Sequence, residues 1–379
     1  MRRPLFLVFV VVAIAILWRP FLRPLGAGAI LVADIYSSAL WDRNLAEYLT
    51  PLPLVTGTRE SFAGIEMRVT WWRPGWGDRH PALMVVNGAT ALGNDDPETT
   101  RLTEALARAG YLVMLPEFPF IREGTLEPRA AAIIDAAFAR LLLLPDSSGM
   151  PVGAFGFSVG GGMLLAAAGR HEAVARASYV GALGAYYDLD TYLASVVTRT
   201  QKLGGDQAAW DPDPTVRLRL PLAAADAVSD PHDRALLEDE LRANDGRTAT
   251  DPPPGVGTEA GSLWRALGAT DYDLALAGLR KLPPALRKVF DDLSPRANWS
   301  DIRAAVFWLH DVGDRFEPVS EGETAAATAH AGPTRFQRTA LLSHAAALGA
   351  GAKEKGLDFW ATELSGLLFF ASGALGAGG

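Results

Sequence analysis

The stretch PVGAFGFSVGGGMLLAAAGR, Pro151 to Arg170, is where the fold can be read first. It opens with an apolar run over residues 152–157, long enough for a buried strand. Gly156-Phe157-Ser158-Val159-Gly160 follows, and then a run of small apolar residues over 161–168 that reads as a helix. Gly-x-Ser-x-Gly between a strand and a helix is the pattern of a nucleophile elbow. The turn is sharp, and the serine at its apex takes a strained backbone. Side chains two residues before or after it would crowd the neighbouring strand and helix. In a chain with 38 glycines among 379 residues the five-residue pattern is weak by itself, so the flanking strand and helix carry the weight. Ser158 is the expected nucleophile.

Outward from the elbow the chain alternates. Residues 55–73 show the period-two pattern of a half-exposed strand region, with Gly64 at a turn. A buried strand is expected over 82–86, a loop at Asn87-Gly88-Ala89-Thr90, a helix over 97–109 stopped by Gly110, a strand over 111–115 and a helix over 128–144. Another strand follows over 177–183. Strands alternating with helices imply right-handed crossovers and a mostly parallel central sheet flanked by helices, an α/β fold. From about Tyr186 the alternation stops. Residues 186–300 are rich in Asp, Pro and Ala, with helices expected over 233–243, 258–267, 273–279 and 284–293. This block reads as a helical cap that shapes an apolar pocket. The α/β pattern returns with a strand over 304–309, a helix over 321–330, a strand over 335–342 and a last helix over 355–371. The expected organisation is a membrane segment (1–33), a connector (34–54), a core in two parts (55–185 and 301–379) and the cap between them (186–300).

A serine needs a base to take its proton and a carboxylate to orient that base. On a strand–elbow–helix of this kind the partners follow in the order Ser, acid, His. Among the six histidines, His80 precedes Ser158, His171 ends the elbow helix and His232 lies in the cap. His310 ends a strand ahead of its best acid, and His330 ends a helix. His344, in the loop after the last strand, is the expected base, with His330 and His310 as alternatives. Asp314 is the expected acid by its spacing from the strand and from Pro318; Asp311 and Glu317 are alternatives. The oxyanion needs two aimed backbone donors. These are expected from the amides of Val159 and of Ala89, or of its neighbour Gly88.

These residues resemble those of α/β-hydrolases, and within them the dienelactone-hydrolase and esterase branch. Gly156-Phe157-Ser158-Val159-Gly160-Gly161 is similar to that branch's elbow, with serine where dienelactone hydrolases proper carry cysteine. Asn87-Gly88 stands where the family usually has His-Gly. Residues 294–318 are similar to the segment leading into the family's acid strand, with Asp311 in place of its glycine. The resemblance covers roughly residues 55–185 and 294–371. It implies a hydrolase working through an acyl-enzyme; the insertion and the membrane segment fall outside it, and no substrate carries over from it.

The chain carries 35 basic and 43 acidic residues, a net charge of −8, which argues against a nucleic-acid partner. It has no cysteine, which excludes disulfides and cysteine-bound metal. Gly160-Gly161-Gly162 is not followed by the Lys-Ser/Thr of a phosphate loop, and metal ligands at helical spacing are not found. No cofactor or metal is expected. After Arg2 and Arg3 comes an apolar run over 4–18, then Arg19 and Arg23, then a second over 25–33. An uncleaved signal anchor is expected; cleavage at Ala27-Gly28-Ala29 and secretion is the alternative. The sequence thus predicts a membrane-anchored Ser158–Asp314–His344 serine hydrolase of apolar small-molecule esters. The alternatives are a peptidase, thioesterase or acyltransferase with the same triad, or a non-catalytic membrane-tethered binding protein.

Overall fold

A computed structural model describes residues 22–41, 45–344, 348–349 and 352–377. β1 (Leu54–Phe62) and β2 (Ile65–Arg73) form an antiparallel hairpin. Its two-residue turn, Ala63-Gly64, has φ of 49° and 85°, the left-handed backbone that suits the twist of a tight hairpin. The remaining strands are β3 (Ala82–Val86), β4 (Leu112–Pro116), β5 (Val152–Phe157), β6 (Tyr179–Leu183), the small pair β7 (Thr200–Leu203) and β8 (Asp206–Ala209), β9 (Ala305–Asp311) and β10 (Thr334–Thr339). Eight of them make one sheet in the order β1-β2-β4-β3-β5-β6-β9-β10. From β4 through β10 every pairing is parallel, and β2 meets β4 antiparallel.

The helices are α1 (Arg23–Trp41), α2 (Pro97–Arg108), α3 (Pro119–Glu123), α4 (Ala130–Leu142), α5 (Ser158–Arg170), α6 (Leu189–Thr198), α7 (Pro214–Asp226), α8 (Pro231–Ala243), α9 (Thr258–Leu267), α10 (Tyr272–Arg280), α11 (Pro284–Leu293), α12 (Val319–Ala327) and α13 (Leu357–Gly376). A central parallel strand is covered on both faces, so β3 is buried along its whole length. Its side chains alternate between two cores. Met84 and Val86 join Phe138 of α4 and Leu164 of α5 on one face. Leu83 and Val85 join Leu106 of α2, Ala27 of α1 and Phe370 of α13 on the other. At the start of α2, Asp96 accepts from the amides of Glu98 and Thr99, and Pro97 opens the helix.

The block 186–300 holds α6 to α11 and the β7–β8 hairpin. α8 to α11 lie where helices were expected. α6, α7 and the hairpin are additions; Pro221 inside α7 breaks the pattern by which that helix could have been read. The block is tied to the core where Arg170 of α5 meets Asp292 at 2.9 Å and where Glu321 of α12 accepts from the amides of Tyr187 and Asp188. Within the block, buried Asp188 and Asp190 meet Arg280, Arg287 and Arg296 from α10, α11 and the segment after it.

Several boundaries shift. β9 runs to Asp311, past the expected end at 309, β10 ends at Thr339 and not at 342, and the last helix runs on to Gly376. α12 ends at Ala327, before His330.

The expectation for the N-terminus is corrected in part. The run 4–18, on which the anchor rests, lies outside the described residues. The second run, 25–33, belongs to α1, which crosses the expected boundary at 33 and packs on the sheet and on α13. At the crossing, a Cβ on Gly28 would stand 2.4 Å from Ser372 Oγ. Ala27-Gly28-Ala29 thus lies inside the helix, against α13. Among the described residues no helix is long and apolar enough to cross a membrane.

Candidate active site

Ser158 stands at the C-terminal end of β5 and opens α5. Its φ is +51°, a left-handed backbone that costs a non-glycine residue and persists only where its surroundings enforce it. The surroundings are close. A Cβ on Gly156 would lie 2.6 Å from Gly161 Cα, and one on Gly160 would lie 2.0 Å from the carbonyl oxygen of Asn87. The elbow therefore closes only with glycine at both places. Gly88 comes against Ser158 itself, where a side chain would meet the serine Cβ at 3.2 Å.

Asp314 follows β9 in a tight turn. Its Oδ1 accepts from the amides of Phe316 (2.7 Å) and Glu317 (3.1 Å), and its Oδ2 lies 2.8 Å from His344 Nδ1. Trp210, from the cap, donates to the Asp314 carbonyl at 2.7 Å. His344 follows β10, stacks on Phe316 with ring centres 4.7 Å apart, and has a φ of +51°. Burial opposes the charge on Asp314, but His344 beside it and the Phe316 amide hold the carboxyl below its ordinary value. Burial likewise opposes the imidazolium of His344, and the carboxylates of Asp314 and Glu317 outweigh it, so its pKa is raised.

Glu317 is the residue whose place the spacing did not show. By spacing it is only an alternative acid to Asp314. Its side chain is buried, and its Oε1 accepts from Ser158 Oγ at 2.7 Å. Oε2 lies 3.3 Å from His344 Nδ1, and the hydroxyl of Tyr192 is 3.4 Å from Oε1. Burial raises its pKa, and the Asp314 charge adds to this against the pull of His344. A serine hydroxyl has one proton to donate, so Ser158 rests on Glu317.

The other candidates sit elsewhere. His310 is buried under the acid turn; its Nε2 meets the Glu317 carbonyl oxygen at 3.0 Å and Asp314 Oδ2 at 3.6 Å. Burial lowers its pKa, so it supports Asp314 as a neutral ring. His330 contacts the Ile302 carbonyl and Trp299, far from the cavity that holds Ser158. Asp311 accepts from the Gly313 amide at 2.6 Å within its own turn. Val159 and Ala89 line the same cavity as Ser158, His344 and Glu317. The Val159 amide belongs to the first turn of α5, where N–H groups have no partner within the helix. Asp314, Glu317 and His344 bring one ligand atom each within 4.8 Å, a spacing that would also suit a cation.

The cavity measures about 390 Å³. The cap supplies one side through Tyr192, Val216, Arg219 and Leu220. A larger part lies beyond the cap, along α1, α2 and α13. The pocket expected in the cap is therefore shared with both ends of the chain.

No protein-family profile and no curated protein matches the chain. Solved structures do. The acylaminoacyl peptidase of Pyrococcus horikoshii is 11% identical with a TM-score of 0.50, over 88% of this chain and 43% of that one. The chain thus spans less than half that peptidase's length. The dienelactone hydrolase of Anabaena variabilis is 13% identical, TM-score 0.43, over 86% of this chain and 97% of that one. Brefeldin A esterase, a bacterial homologue of human hormone sensitive lipase, is 17% identical, TM-score 0.46, over 92% and 85%. At these identities the likeness is one of fold.

Proposed function

We propose that this chain, which has the α/β-hydrolase fold, is a serine hydrolase that cleaves small-molecule carboxylic esters. The observation that carries the reading is the Asp314–His344 contact of 2.8 Å beside a serine held at φ +51° on a strand-to-helix elbow. The Ser158 hydroxyl turns from Glu317 to His344 and attacks the ester carbonyl carbon as its proton passes to the imidazole. Asp314 holds the ring and its positive charge. The negative oxygen is received by the amides of Val159 and Ala89. The intermediate collapses, His344 gives the proton to the leaving alcohol, and the acyl group stays on Ser158. Water then gives a proton to His344 and attacks the acyl carbon. The carboxylic acid leaves and Ser158 regains its proton.

The test is hydrolysis of p-nitrophenyl butyrate by the folded full chain, with Ser158→Ala and His344→Ala beside it. Turnover should be lost by about 10⁴-fold or more in both variants. Undiminished turnover in Ser158→Ala would place the chemistry elsewhere.

A further inference from the structure

The inner part of the cavity runs away from Ser158 along the sheet face that carries Leu83 and Phe155. Leu83 is four residues before Asn87, so the space reaches roughly 13 Å back from the catalytic end at about 3.3 Å per residue. On α13, Leu367, Phe370, Ala371, Ala374 and Leu375 line it. They follow at intervals of three, four, seven and eight, one stripe of a helix. On α1, Leu31, Val32 and Ile35 line it. The two helices close over it where Gly28 meets Ser372. The far end is marked by Leu375, whose carbonyl accepts from Tyr111 at 2.6 Å, just before β4 begins. Tyr36 and Tyr179 also line this inner part. Protein interiors are close-packed, with few voids larger than a water. A deep apolar space continuous with a nucleophile is built to be filled.

Resting on the serine-hydrolase reading, we propose that this space takes the acyl chain of the substrate, and that the substrates are esters of medium- to long-chain fatty acids. The acyl arm, not the alcohol, belongs there on kinetic grounds. The alcohol leaves first and water must enter its place, whereas the acyl group stays bound to Ser158 until the last step.

The experiment measures kcat/KM for p-nitrophenyl butyrate, octanoate, laurate and palmitate, and for methyl laurate against dodecyl acetate. Each methylene should add up to about fourfold in kcat/KM until the space is full. Methyl laurate should exceed dodecyl acetate. In Ala374→Trp the laurate-to-butyrate ratio should fall at least tenfold, and Ala371→Leu, a smaller change, should lower it in the same direction. Binding of dodecanoate to Ser158→Ala, followed by calorimetry, gives a readout without turnover and should be weakened tenfold by adding Ala374→Trp. A flat chain-length series in an enzyme that hydrolyses butyrate, or a preference for dodecyl acetate, would overturn the assignment and leave the serine-hydrolase reading intact. Dodecanoate binding without any ester hydrolysis would do the reverse.

Discussion

Ser158 Oγ donates to Glu317 Oε1 at 2.7 Å, so the nucleophile rests on a buried carboxyl group while His344 Nδ1 is turned to Asp314. On the proposed serine-hydrolase reading the two acids take separate tasks: Asp314 orients the base, and Glu317 holds the serine until substrate arrives.

The separation is testable by isosteric change. Asp314→Asn should lower kcat/KM on p-nitrophenyl butyrate by about 10⁴-fold, through the wrong imidazole tautomer. Glu317→Gln keeps an acceptor for Ser158 and should lose less than about tenfold, since it removes no group that must orient the base. Equal losses in the two variants would make Glu317 the orienting acid.

The pH dependence follows from His344. Burial works against its charge, and Asp314 and Glu317 outweigh burial, so its pKa lies above the ordinary 6.5. The base must be unprotonated to act, so kcat/KM should fall as pH drops through this raised value, and the acid limb should lie above 6.5. Glu317→Gln removes one of the raising charges and should move the limb to lower pH. A wild-type limb at or below 6.5 would contradict the electrostatic account.

Gly184 gives a steric test. It follows β6 with φ +51°, and a Cβ there would lie 2.9 Å from Asp314 Oδ2 and 3.0 Å from His344 Nδ1. Gly184→Ala should displace the pair and lower kcat on the order of 10²-fold. Far-UV circular dichroism should remain native, which separates displacement from unfolding.

The charge cluster inside the cap makes a stability prediction. Asp190 has a fully buried side chain between Arg280 (2.6 Å) and Arg287 (2.8 Å). Arg287→Met leaves that charge with one partner and should cost about 3 kcal/mol at neutral pH in urea unfolding. Burial raises the Asp190 pKa, and loss of Arg287 raises it further. The deficit should therefore shrink as pH falls and Asp190 takes up its proton. A deficit independent of pH would assign the loss to packing alone.

Much of this architecture is legible in the sequence, for physical reasons. β3 and β5 are continuous apolar runs because parallel strands are covered on both faces, and their ends are where the pattern breaks. The elbow is legible because its packing tolerates only glycine two residues before and two residues after the serine. Glu317 is different. Its spacing from Asp314 is visible, but the direction of its side chain depends on Asp314 Oδ1 gathering two amides into a tight turn. α1 is different again. An apolar helix that covers a sheet and one that enters a bilayer share a composition, and only the contact with α13, more than 300 residues away, tells them apart for residues 25–33. The same contact hid the inner cavity, whose walls come from opposite ends of the chain.

The central claim is that Ser158 is the attacking atom. Treat the folded full chain with a fluorophosphonate probe and map the adduct by peptide mass spectrometry. The account predicts one adduct, on Ser158, absent in Ser158→Ala and strongly slowed in His344→Ala. A folded protein that takes no label, or takes it on another residue, would contradict it.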